Sequence, residues 1–251
     1  MKSIYNTFLS ITLLITASVA DAQNLSSAPD ILQTDQGQLT IQPIFHGTIV
    51  FTWNNKTIYI DPYGGAKAFE GMAPADMVII TDIHGDHLNL ETLASLQTSS
   101  AVYIVPPAVA EKLPEQYKKN LVVLKNGETT TQLGITIVAI PMYNLPETDD
   151  SRHPKGRGNG YVLTMGEKRI YISGDTEDIS EMRALQAIDV AFVCMNGPTM
   201  DIQQAASAVL EFKPTIVYPF HHRGSDIEAF KKLVEDGKLG IDVRLRNWYP
   251  Q

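Results

Sequence analysis

The sequence predicts a layered α/β protein with mixed sheets. Two observations carry this. Short apolar runs rich in Val, Ile, Thr and Tyr recur along the chain, joined first by hairpin turns and later by helical segments. Several of these runs stop directly at an Asp or a His. That is the arrangement of sheets that gather a ligand beyond the carboxyl ends of their strands.

The chain starts with Lys2, an apolar run over 8–20 and the small-x-small pattern Ala20-Asp21-Ala22. This reads as a secretory signal peptide over 1–22, rather than an uncleaved anchor, because the run is short for a bilayer. Residues 23–38 are polar and read as a flexible leader. One domain is expected over 39–251. It begins with strands at 39–44 (LTIQPI), 48–53 (TIVFTW) and 57–61 (TIYID), the last two joined by an Asn54-Asn55-Lys56 turn. Next comes 77–81 (MVIIT), too short for a helix, and a helical stretch near 90–97. Strands follow at 101–105, 121–124 and 136–140. The runs 161–165 and 169–173 flank a Gly166-Glu167 hairpin. VAFVCM and TIVYPF are each followed by a helix, at 202–212 and from 227, and IDVRL closes the chain. The least regular stretch is 142–159. A long polar loop inside a compact domain usually has a function.

The net charge of −8 and the lack of a basic run make the chain a poor candidate for phosphate-backbone binding, so no nucleic-acid partner is expected. Cys194 is the only cysteine, which leaves the core or a metal to supply stability. It sits in an apolar strand and reads as core. No membrane span is expected after signal cleavage, and the exported protein is expected in the periplasm with a small-molecule substrate.

The chemistry gathers at strand ends. TIYI ends in Asp61. MVIIT runs into Asp82, His84, Asp86 and His87. RIYISG ends in Asp175, and TIVYPF ends in His221 and His222. Imidazole with carboxylate suits Zn²⁺, Fe or Mn²⁺. The number of donors exceeds what one tetrahedral ion uses, so two ions are expected. An extended loop would turn every second side chain of 82–87 inward, with Gly85 letting the backbone pass close to the ions.

The series D-x-H-x-D-H, a distant His, G-D-T and P-x-H resembles the metallo-β-lactamase superfamily, whose own signature is H-x-H-x-D-H. The likeness runs from about His46 to Pro250. It is nearest to the single-domain branch with the ascorbate-phosphate lactonases, distantly related to the N-acyl-phosphatidylethanolamine phospholipases. It implies a four-layer αββα sandwich with mixed β-sheets. It also implies a metal-dependent hydrolase in which a hydroxide held by two divalent ions, with Zn²⁺ ahead of Mn²⁺ or Fe, attacks a small ester, lactone or phosphodiester. By the resemblance, His84 binds the first metal, Asp86 and His87 the second, Asp175 bridges, and His221 completes the second site. His153, the histidine of the long loop, completes the first. Asp86 also takes part in proton transfer. Asp61 holds the motif loop without ligating. Asp82 stands where the family has its first His, either as a harder ligand or as an acceptor behind a ligand His.

Plainer readings stand beside these. His46 and His222 are candidates for the substrate pocket, against a satisfied half-buried ring and a surface ring. Tyr143, Arg157 and Arg223 read as solvated loop residues sooner than as anion contacts, and Asn144 is the substitute if His153 does not ligate. A non-catalytic metal-binding protein on the same fold is the alternative function. A lipid hydrolase at a membrane would need an apolar patch beside the site.

Overall fold

The computed structural model describes residues 28–250. The expected signal peptide and its cleavage point lie outside the described residues. The fold is two seven-stranded mixed sheets face to face. In the first, β1 (Asp30–Thr34), β2 (Gly37–Phe45), β3 (Thr48–Trp53), β4 (Lys56–Ile60), β5 (Met77–Ile79), β6 (Val102–Val105) and β7 (Leu121–Val123) lie in chain order. In the second, β8 (Thr129–Gln132), β9 (Ile135–Met142), β10 (Gly158–Met165), β11 (Lys168–Ile172), β12 (Val190–Cys194), β13 (Ile216–Phe220) and β14 (Asp242–Val243) do the same.

Strands joined by hairpins pair antiparallel, and so do β9 and β10 across the long loop over 143–157. Asn54 and Asn55 both take positive φ, 48° and 57°, the two-residue turn that matches strand twist. Gly166 at φ 62° opens the β10–β11 hairpin. From β4 to β7 and from β11 to β14 the pairing is parallel.

Alternation decides which way each residue faces. Ile49, Phe51, Ile58, Ile60, Met77, Ile79 and Ile104 face the second sheet. Val50, Tyr59, Val78, Ile80, Tyr103 and Val105 face outward, where α1 (Leu90–Ser95) and α2 (Pro107–Lys112) cover them with Leu93 and Val109. On the other side α3 (Ser180–Arg183), α4 (Ile202–Phe212) and α5 (Ile227–Asp236) cover the second sheet. In α4, Ala205, Ala208, Val209 and Phe212 form one buried stripe, and Asp201 with Gln204 closes a capping box. Cys194 is buried in this core, as expected.

The expected leader over 23–38 needs correcting from residue 30 onward. Asp30–Thr34 is an edge strand paired with β2. Asp30 fastens it by accepting from Arg246 Nη2 at 2.6 Å and Arg244 Nη1 at 3.2 Å. The strand β8 and the helices α2 and α3 are further elements beyond the sequence reading.

Candidate metal centre

The parallel order of β4–β5 and of β11–β12–β13 puts their carboxyl ends at one edge of the sandwich. Asp61 follows β4 and accepts from Thr81 N at 2.8 Å, Thr81 Oγ1 at 2.6 Å and His87 Nδ1 at 2.8 Å. It thus anchors the loop after β5 and turns His87 Nε2 away from itself. That loop is a tight turn rather than an extended segment, because His84 O accepts from both His87 N and Leu88 N. Gly85 is not a point of close approach: a Cβ there would meet nothing within 4 Å.

Three groups of donor atoms result. Asp82, His84 and His153 form one, His87, Asp175 and His221 a second, and His46, Asp86 and His221 a third. Asp175 joins the first two, with Oδ2 lying 3.5 Å from His153 Nε2 and 3.4 Å from His87 Nε2. Its Oδ1 is 3.3 Å from His221 Nδ1. Asp86 Oδ2 is 3.5 Å from His221 Nε2 and 3.1 Å from His46 Nε2.

These contacts are close but most are not hydrogen bonds. His87 Nε2, His153 Nε2, His221 Nε2 and Asp175 Oδ1 are all buried with no hydrogen-bond partner. His84 Nδ1 lies 2.6 Å from Asp82 Oδ2 yet lacks hydrogen-bond alignment as well. Buried polar atoms are normally satisfied. Convergent orphan nitrogens and carboxylate oxygens fit a divalent cation, and the imidazole–carboxylate set suits Zn²⁺, Mn²⁺ or Fe.

The Nδ1 sides of His87 and His153 face the oxygens of Asp61 and Asn144, as metal-binding histidines require. Asn144 Oδ1 is 3.0 Å from His153 Nδ1, so Asn144 supports His153 and does not replace it. Asn196 Nδ2 donates to His221 O at 3.0 Å and lies 2.6 Å from Nδ1. Asn196 escaped the sequence reading, although it follows β12 as Asp175 and His221 follow their strands.

The carboxylates stay ionised. Burial pushes Asp175 up, but the charges of His221 and His87 hold it well below the usual carboxylate range. Burial raises Asp82 too, and it is overcome by the His84 contact and the charges of His87, His84 and Arg157. Asp86 is lowered in the same way by His221, His46 and His87. Burial lowers His46 and His222, which favours their neutral rings.

The remaining candidates divide. His46 is at the site, with Nδ1 2.7 Å from Tyr249 Oη. His222 is nearly buried and lines a cavity of about 340 Å³ with Asp86, Arg152, Asp175, His221 and Arg223. Arg157 is not a solvated loop residue, because it pairs with Asp82; Arg223 is exposed on its loop, as expected, and pairs with Asp86. Tyr143 is buried and donates to Glu181, away from the cavity. Tyr249 had no signal in the sequence; it reaches the site because His46 N donates to Trp248 O at 2.9 Å.

The Beta-lactamase superfamily domain matches residues 56–222. This chain belongs to that superfamily. It is similar to a UPF0173 metal-dependent hydrolase of Pyrococcus abyssi, at 30% identity over 197 residues, 72% of this chain and 86% of the relative. It is also similar to a candidate metal-dependent hydrolase from Parabacteroides distasonis, whose crystal structure superposes with a TM-score of 0.80 at 38% identity. That match covers 89% of this chain and all of the other. Igni18, a metallo hydrolase from Ignicoccus hospitalis, shares the fold at 24% identity and a TM-score of 0.68, over 82% of this chain and 94% of its own. The superfamily and the mixed two-sheet fold agree with the expectation from the motif series.

Proposed function

We propose that this protein is an exported, periplasmic metal-dependent hydrolase whose centre holds two divalent ions, with Zn²⁺ ahead of Mn²⁺ or Fe. The observation that carries this reading is the set of buried, partnerless donor atoms on His87, His153, His221 and Asp175. Asp82, His84 and His153 would hold one ion, Asp86, His87 and His221 the other, with Asp175 shared. Bound ions supply a water acidic enough to ionise near neutral pH and a Lewis acid for the substrate oxygen.

The chain's own residues set the rest. Asp86 borders the cavity and stays ionised, so it can receive a proton from water or pass one on. Arg152 has no ion-pair partner among the described residues, and it lines the cavity with Arg223 and His222. The substrate is therefore a small ester, lactone or phosphodiester bearing a negative charge. A cavity of about 340 Å³ fits a small molecule. A net charge of −8 disfavours nucleic acid. Among the described residues no helix is long and apolar enough to cross a membrane.

Elemental analysis of the purified mature protein tests the centre, and two ions per chain are expected. A panel of lactones and phosphodiesters, charged and neutral, then tests the chemistry. Arg152→Gln should raise KM about tenfold for charged members only. A metal-loaded protein that cleaves nothing on the panel would move the reading to a non-catalytic metal-binding protein.

A further inference from the structure

Asp82 is where this chain departs from the family's first histidine. Its carboxylate is fully buried and faces two ways. One side looks to His84 and His153. The other is taken by Arg157, whose Nε donates to Oδ1 and whose Nη2 donates to Oδ2, each at 3.2 Å. Both oxygens are thus engaged by one guanidinium fork.

Arg157 is fixed in place. Its backbone N donates to Pro154 O at 3.2 Å, and the next residue, Gly158, opens β10 opposite Met142. Asn159 N donates to Thr81 O at 2.9 Å. A Cβ on Gly158 would fall 2.2 Å from Met142 Cε and 2.9 Å from Thr81 O. Only a glycine lets β10 run this close to the residue before Asp82, and that approach delivers Arg157. The other half of the centre is looser. Arg223, which pairs with Asp86, is 56% exposed and can turn into the open cavity.

An Asp in place of a His adds one negative charge to the donor set, and Arg157 adds one positive charge. Formal charge is restored, but with an immobile cation beside the ligand. An incoming divalent ion meets oxygens already shared with a guanidinium and is repelled by its charge. We propose that Arg157 is the resident counter-charge of the Asp82–His84–His153 half, and that it makes this half bind its ion more weakly than the Asp86–His87–His221 half and fill second. The inference rests on the metal-centre reading above. Arg157 acts through Asp82 and is a positioning residue.

The test is calorimetric titration of the metal-free protein with Zn²⁺, with ions per chain counted after dialysis. The wild type is expected to take two ions with affinities at least tenfold apart. Arg157→Gln should tighten the weaker site about tenfold. It should also lower the melting temperature of the metal-free protein and leave that of the loaded protein unchanged, because the buried carboxylate loses its only fixed cation. Arg157→Lys keeps the charge and should keep the weak site. Asp82→His alone should fall towards one ion per chain, and Asp82→His with Arg157→Gln should recover two. Should Arg157→Gln not fold, this last pair carries the comparison, since neither leaves a buried carboxylate unpaired. Unchanged or weakened binding in Arg157→Gln overturns the inference. So does an Asp82→His protein that holds two ions equally well with and without Arg157. A wild type that takes no ion overturns the metal-centre reading itself.

Discussion

Asp61→Asn separates holding the loop from holding the charge. Asp61 accepts three hydrogen bonds, two from Thr81 and one from His87 Nδ1. Its φ is 42°, a left-handed conformation that Asn tolerates as Asp does, so the backbone is not disturbed. The amide oxygen can still accept from Thr81 N, and the Thr81 hydroxyl can rotate to accept from the amide. His87 Nδ1 lies 2.8 Å from Asp61 Oδ2 and 3.0 Å from Thr81 Oγ1, whose own hydrogen is then free to point at it. Facing an NH₂ group and that hydroxyl hydrogen, Nδ1 must accept, which moves its proton to Nε2, the atom turned towards Asp175. A protonated Nε2 has no lone pair to offer an ion. Hydrogen bonds to an ionised group are worth about 1.5–3 kcal/mol and those to a neutral group about 0.5–1.5 kcal/mol, so turning these charge-assisted contacts into neutral ones should lower folding stability by about 2 kcal/mol. Metal affinity should fall about 10–100-fold, the usual effect of losing the group behind a ligand histidine. Denaturant unfolding of the metal-free protein gives the first number and Zn²⁺ titration the second. Asp61→Ala, which leaves buried partners unsatisfied, should cost about 3–5 kcal/mol. If Asp61→Asn bound metal as tightly as the wild type, His87 would not depend on Asp61 for its tautomer, and the reasoning would fail.

Other outcomes follow from the same geometry. Asp175→Ala should remove most bound metal and all hydrolysis, because Asp175 faces His87, His153 and His221 together; wild-type metal content would exclude the shared role. Tyr249→Phe should leave metal content unchanged and lower the turnover number, since it removes a hydroxyl that touches His46 Nδ1 and accepts from Arg223 N at 2.8 Å; unaltered kinetics would reduce Tyr249 to packing. The Asp30 carboxyl is raised by burial and lowered further by Arg246 and Arg244, with a net depression below 3.8. Its folded-state value lies below the unfolded one, so its stabilising increment is complete above about pH 4 and is lost as pH falls through the depressed value. Asp30→Asn should therefore destabilise at pH 7 and flatten the acid limb of the stability curve; parallel curves for the two proteins would contradict this.

Most of the sandwich was legible because its strands are buried on one or both faces, so the pattern of apolar residues records them. MVI of β5 has no polar side and pairs in parallel on both flanks. TTTQ of β8 and DILQT of β1 are edge strands with half-exposed faces, and edge pairing leaves little hydrophobic trace. The helix α4 was readable to its ends because its stripe is apolar and its cap is local. At the site, the donor residues that follow strands announced themselves. Arg157 did not: its partner lies 75 positions away, and the loop that carries it has no periodicity. The turn at 84–87 was misread because ligand order resembles an extended alternation while the backbone folds back on His84 O.

The first seven strands make one sheet and the last seven the other, so each sheet is one half of the chain. The centre draws Asp82, His84, Asp86 and His87 from the first half and His153, Asp175 and His221 from the second. An ion seated there is a clasp between two halves that otherwise meet through side-chain packing, the pairs of Asp30 with Arg244 and Arg246, and a few backbone bonds such as Asn159 N to Thr81 O. It would oppose sliding of one sheet over the other, a motion that leaves every backbone ladder intact. A chelator would then loosen the seam of the sandwich before either sheet, and a variant with a shifted register in one half would forfeit the clasp even with all seven donor residues present.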